Sequence, residues 1–188
     1  MVGRVFIAAL LLLTPLCAKA RWPVNFVEEY IDFEIDESHF YINGIYTFGN
    51  NSEKGIEQQI LFPFAEKTDA IDSIRITNLS TVKNVSFKKQ ERGVSFAFSL
   101  PPKETVELNI FYRQKVGKTN TYIITSAKSW GKPLKRAVYT LKTPEEMKIA
   151  SFSYPPDSQK QTASNKWLYL WDKENFTPEL EFVVVVDE

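Results

Sequence analysis

The strongest constraint on this chain is an alternation of apolar and polar residues with a period of two. Ile31, Phe33 and Ile35 alternate with Asp32, Glu34 and Asp36. Phe40, Ile42, Tyr46 and Phe48 repeat the pattern, as do Val94, Phe96, Phe98 and Leu100, and then Val106, Leu108, Ile110 and Tyr112. Successive side chains of a strand point to opposite faces, so this period marks strands with one face in a core and the other in water. Ala137, Tyr139 and Leu141 continue it, and Leu180, Phe182, Val184 and Val186 close the chain. Turn residues punctuate the runs at 49–52, at Pro63, at Pro101-Pro102, at 117–120 and at Pro155-Pro156, while 159–166 reads as a polar loop. No segment keeps a helical period, and only short helical pieces are expected, near 66–69 or 144–147. The pattern predicts an all-β fold of about ten short strands with little helix. Antiparallel pairing with one solvated face and two sheets packed together is the economical architecture: a β-sandwich, immunoglobulin-like or related, with a barrel as the alternative.

The N-terminus reads as an address. Arg4 precedes an apolar run over 5–13 that extends through Leu16, and Ala18-Lys19-Ala20 has small residues where a signal peptidase reads. The run is shorter than the roughly 18 apolar residues of a spanning helix, and Pro15 interrupts it. The expectation is a signal peptide over 1–20, cut after Ala20, and a single β-sandwich domain over 21–188 in the periplasm or outside the cell. A lipoprotein anchored through Cys17 is the alternative, with a poor lipobox. Cys17 is the only cysteine, so the mature chain would carry no disulfide, no thiolate nucleophile and no cysteine metal site. A cysteine-free exported domain of this size fits a bacterial source, and no membrane span is expected once the leader is gone.

Basic and acidic residues balance at 23 each. A neutral chain lacks the concentrated positive face that nucleic acid requires, so nucleic acid is not an expected partner. Chemistry is sparse. The lone histidine, His39, sits in Asp36-Glu37-Ser38-His39 and reads as a solvated turn residue. The acidic stretch Glu28, Glu29, Asp32, Glu34, Asp36 and Glu37 has no calcium-loop spacing, and reads as a solvated face protecting a sheet edge. A hydrolase built on two carboxylates stays open, without a means of choosing the two. No nucleophile elbow or phosphate-cradling glycine loop is present, and no cofactor is expected. Four N-x-S/T triplets, at Asn50, Asn78, Asn84 and Asn175, are chance matches in a bacterium.

Two aromatic groups are candidate binding residues. Trp167, Tyr169 and Trp171 share one face of a strand and serve either the core or a stacking platform for a glycan; Leu168 and Leu170 opposite them favour the core. Trp130 lies in a loop-like context beside Lys128, Lys132, Lys135 and Arg136 and either covers the end of the sandwich or anchors a partner.

Two short motifs, Tyr46-Thr47-Phe48-Gly49-Asn50 and Leu61-Phe62-Pro63-Phe64, form a Y-x-F-x-N, then F-P pair. Together with Trp130-Gly131-Lys132-Pro133-Leu134 and Asn175-Phe176-Thr177-Pro178, they resemble a bacterial family of exported β-sandwich proteins of unknown function. The chain is also distantly similar to the N-terminal domain of inter-alpha-trypsin-inhibitor-type proteins. The resemblance implies a fold and a compartment and no catalytic residues. The expected function is a non-catalytic module that docks on an envelope or extracellular protein, with a carbohydrate-binding module second and a carboxylate hydrolase third.

Overall fold

The computed structural model describes residues 23–187, so the expected leader over 1–20 and the expected cut after Ala20 lie outside the described residues. Among the described residues, fourteen strands form three sheets with almost no helix. In chain order they begin with β1 (Val24–Ile35), β2 (His39–Asn50), β3 (Ile56–Pro63), β4 (Ile71–Asn78) and β5 (Lys83–Asn84). Next come β6 (Phe87–Gln90), β7 (Gly93–Leu100), β8 (Thr105–Lys115), β9 (Thr119–Tyr122) and β10 (Leu134–Pro144). The last are β11 (Ile149–Phe152), β12 (Ser158–Gln161), β13 (Lys166–Phe176) and β14 (Phe182–Val186).

An eight-stranded sheet in the order β12-β13-β10-β1-β2-β8-β4-β5 forms one layer. Its inner face carries the alternating apolar set: Ile31 and Phe33 of β1, Phe40 and Ile42 of β2, Leu108 and Ile110 of β8, and Tyr139 and Leu141 of β10. Two three-stranded sheets, β3-β7-β6 and β11-β14-β9, cover that same face. Phe62 of β3 meets Tyr46 edge to face with centroids 5.4 Å apart, and Phe98 of β7 packs on Phe48 at 5.2 Å. Phe182 of β14 stacks on Phe33 at 4.6 Å and meets Trp171 at 5.0 Å. The layers are open sheets, a sandwich rather than a barrel.

Three expectations change. The count rises from about ten because β5, β6, β9, β11 and β12 have two to four residues each, too few for a readable alternation. The polar segment at 159–166 is largely structured: β12 pairs with β13, and since every β12 side chain is exposed it carries no apolar period. Pairing is mainly antiparallel, but β1 and β10 run parallel, with Phe33 opposite Leu141. The chain reaches β10 through a 3-10 helix, Thr125–Trp130, and re-enters the large sheet beside its first strand. Such a crossover is set by long-range return and leaves no mark on local periodicity.

Candidate functional site

The two small sheets leave a gap over β1 and β2, and the polar part of the core lies at its floor. A one-residue bulge in β1, between Phe26 and Glu28, breaks the ladder with β2. Bulges re-aim side chains. This one lets even-numbered Val24 and Phe26 face the same interior as odd-numbered Glu29, Ile31 and Phe33. Glu29 is therefore a core residue, 2% exposed. The Tyr139 hydroxyl donates to Glu29 Oε1, and the Glu29 side chain makes no other hydrogen bond to a described residue. Burial raises the Glu29 pKa from 4.5 to about 7, against the opposing pull of the Tyr139 hydrogen bond.

Beside Glu29 stands Tyr46, whose hydroxyl shares a 2.8 Å hydrogen bond with the Tyr122 hydroxyl of β9. The Tyr46 ring leans over Gly44, where a Cβ would stand 2.4 Å from the phenol oxygen. Only glycine leaves that space. Burial pushes the Tyr46, Tyr122 and Tyr139 hydroxyls well above their ordinary value, and the Glu29 charge adds to the shift. Glu29 is thus the group of this cluster that titrates near neutral pH.

The outer wall is aromatic. Trp130 ends the 3-10 helix Thr125–Trp130, which Gly131 terminates in the left-handed region at φ 68°. From there the indole reaches Phe48 at 5.4 Å and Phe26 at 6.2 Å, and Phe26 stacks on Phe48 at 5.1 Å. Between this wall and the edge of β3 lies a cavity of about 290 Å³, with Glu29, Tyr46 and Tyr122 inside and Gln59 and Leu61 at the rim. Leu61 is 63% exposed. Ser129 and Trp130 also border an adjoining groove of about 350 Å³ along Pro23, Val24, Ile56 and Gln58.

The residues singled out from sequence scatter around this site. Trp130 is half-buried and walls both spaces. Lys132 and Lys135 border a neighbouring groove of about 750 Å³ at the ends of β1, β2 and β8, where the Lys132 ammonium donates to Asn25 Oδ1 at 2.7 Å. Arg136 makes a two-pronged pair with Asp172 at 2.9 and 2.6 Å, and Lys128 pairs with Glu179 at 3.0 Å. None of these four basic residues lines the two spaces that Trp130 borders. The aromatic face of β13 is a core face: Trp171 is fully buried with its indole N–H on the Tyr154 carbonyl at 2.8 Å, Tyr169 is buried against Phe152, and Trp167 is half-buried. Two of the three rings considered for a glycan platform are thus enclosed, which is the core alternative of that face.

The acidic stretch is corrected as well. β1 is an interior strand, and its carboxylates are dispersed rather than lined up on an edge. Asp32 accepts from Thr140, Glu34 pairs with Lys166, and Asp36 accepts the Ser38 and His39 backbone N–H groups at 2.7 Å. His39 opens β2, half-buried, with Nε2 3.9 Å from Asp72. Among the described residues no three His, Cys, Asp or Glu side chains converge as metal ligands, and Glu29 is the one carboxylate on the 290 Å³ cavity. Sequence reading missed Glu29 although a signal was present: it shares the phase of Ile31, Phe33 and Ile35.

No protein-family model matches the chain, and no curated protein matches it. Solved structures do resemble it. One is a Legionella pneumophila protein, provisionally assigned as nutrient binding, at 13% identity and a TM-score of 0.69, over 88% of this chain and 67% of that one. Another is an M1 zinc metallopeptidase of Deinococcus radiodurans, at 11% identity and a TM-score of 0.53, over 87% of this chain. The chain spans only 42% of that metallopeptidase. At such identities the likeness is one of fold.

Proposed function

We infer that this chain is an exported, non-catalytic docking module whose working surface is the outer edge of β3 and the Trp130 groove beside it. The observation that carries the reading is that β3 is an edge strand whose unpaired side adjoins an apolar groove. Edge strands carry unpaired backbone N–H and C=O groups that can accept a further strand. The groove offers Val24, Ile56 and Trp130 to the side chains of that strand, and Leu61 lies exposed at the inner end. The occupant that fits is an extended, partly apolar segment of an envelope or extracellular protein. Export is supported by the basic start, short apolar run and A-x-A site within 1–20. The Y-x-F-x-N and F-P motifs favour membership in the exported β-sandwich family they resemble. Their residues are structural: Tyr46 and Phe62 pack on each other, and Asn50 organises a turn.

The test is crosslinking capture with the tagged chain, expressed with its leader in its own host, beside Trp130→Ala and Leu61→Asp forms. The expected result is one partner whose crosslinks map to residues 56–63 and which falls at least tenfold in both variants. Undiminished capture, or crosslinks confined to Lys132 and Lys135, would reject this surface.

A further inference from the structure

A buried carboxylate without a cation is an unusual thing to keep in a core. Charges removed from water are ordinarily paired or neutralised. Glu29 has one phenolic donor, and no lysine, arginine or histidine borders its cavity among the described residues. Two structural devices maintain the arrangement: the β1 bulge that places Phe26 and Glu29 in one interior, and the glycine at 44 that lets Tyr46 lie where it does. An apolar residue at 29 would pack there more simply.

The surroundings suit a cation. Phe26, Phe48 and Trp130 form one wall, and Tyr46 and Tyr122 another. Aromatic faces attract a cation within about 6 Å of the ring centre, and more strongly when water is excluded. The groups that could accept N–H bonds are Glu29 Oε2, the Gln59 amide oxygen and Ser129 Oγ; the last donates to the Ser126 carbonyl at 2.7 Å and is left as an acceptor. A primary ammonium has three donors to place on such acceptors. A hard metal cation needs about six oxygen ligands, far more carboxylate and carbonyl oxygen than this lining presents. The volume of about 290 Å³ admits a short alkyl chain.

We propose that the Glu29 cavity is a binding site for a primary alkylammonium group, held by the Glu29 carboxylate and the rings of Phe26, Phe48 and Trp130. This goes beyond the docking surface and stands whether or not β3 takes a partner strand. Two sources share the chemistry, a free small amine and a lysine side chain presented by another protein. The site is pH-dependent through Glu29. The groups facing it are Tyr139 from β10, Tyr46 from β2 and Tyr122 from β9, with Tyr112 of β8 behind Tyr46. All four tyrosines are raised above 10, so only Glu29 changes charge between pH 5.5 and 8. An alkylammonium, like lysine with its pKa of about 10.4, stays charged throughout.

The experiment is calorimetric titration of the purified, host-processed chain with n-butylammonium at pH 8 and pH 5.5, with Trp130 fluorescence as a second readout. n-Butanol serves as the uncharged comparison and Nα-acetyl-lysine amide as the side-chain probe. Butylammonium should bind at least tenfold more tightly at pH 8 than at pH 5.5, at least tenfold more tightly than butanol, and at least tenfold more weakly to Glu29→Gln. Binding of the lysine amide as well would assign the site to a presented lysine, and its exclusion to a free amine. If Glu29→Gln does not fold, carboxyl NMR of the parent chain replaces it: added butylammonium must lower the Glu29 pKa. Absence of binding, binding equal to that of butanol, or a Glu29 pKa unmoved by saturating amine would overturn the proposal.

Discussion

At the scale of single residues, Glu29 governs how stability depends on pH. Its folded pKa of about 7 lies above its ordinary 4.5, so between these values the folded chain holds a proton that the unfolded chain releases. The associated stability is full below about pH 4.5 and is lost as pH rises through about 7. At about 1.4 kcal/mol for each tenfold change in proton affinity, the loss is roughly 3 kcal/mol. Chemical denaturation should show this decline between pH 5 and pH 8, and Glu29→Gln should flatten it and be the more stable form at pH 8. The lowered pKa values of Asp36, Asp72, Asp157 and Asp172 act below the ordinary carboxylate range and leave that window clear. A decline of equal size in the variant would assign the linkage to another group. Gly44→Ala is the companion test of geometry. Its methyl would displace the Tyr46 ring from the Tyr122 hydroxyl and cost roughly 1–3 kcal/mol by overpacking, read as a lower denaturation midpoint. An unchanged midpoint would mean that the ring moves aside freely.

At the scale of elements, the turn after β2 depends on one side chain. Asn50 is buried, and its amide donates to the Lys54, Leu100 and Pro101 carbonyls at 2.8, 3.1 and 3.0 Å. Its oxygen accepts from the Ser52 N–H and hydroxyl, both at 2.8 Å. This explains why the Y-x-F-x-N motif ends on asparagine: the same residue ends β2, ties down the turn and holds the last carbonyl of β7. Asn50→Ala should cost roughly 1–3 kcal/mol, because it leaves the buried Leu100 carbonyl without this donor, while water can reach the Lys54 and Pro101 carbonyls. Denaturant titration checks it, and a loss below about 1 kcal/mol would show that water replaces the amide. The outer face of the large sheet works differently. Its pairs, such as Arg136 with Asp172 and Arg113 with Asp72, are exposed and contribute little individually.

At the scale of the whole molecule, the two small sheets share one layer as their floor, and their buried side chains belong to a single apolar cluster. Neither small sheet has an inner face to bury without the large one, so the fold should unfold in one cooperative step. Tryptophan fluorescence and far-ultraviolet circular dichroism should give coincident transitions; separate midpoints would show that one small sheet melts alone. The all-β class, the identity of the long strands and their inward sets were legible in the sequence, because strand periodicity is a local consequence of alternating side-chain direction. The sequence also marked the breaks at Pro101-Pro102 and Pro155-Pro156, although half of the expected turn at 117–120 belongs to β9, and it favoured the core for Trp171 and Tyr169 through the leucines opposite them. It did not determine the parallel β1–β10 pair, which depends on where the chain returns after a crossover, or the β12 strand, whose exposed side chains carry no apolar period, or the different grooves that Trp130 and Lys132 and Lys135 border. The cavity is the clearest case. Glu29 shows its inward phase in the sequence, but the register shift that brings Phe26 beside it, and the packing of Trp130 and Tyr122 around it, exist only once β1, β2, β9 and the Thr125–Trp130 helix have met. Periodicity is local, whereas a cavity is an agreement among distant segments, and only the tertiary structure supplies it.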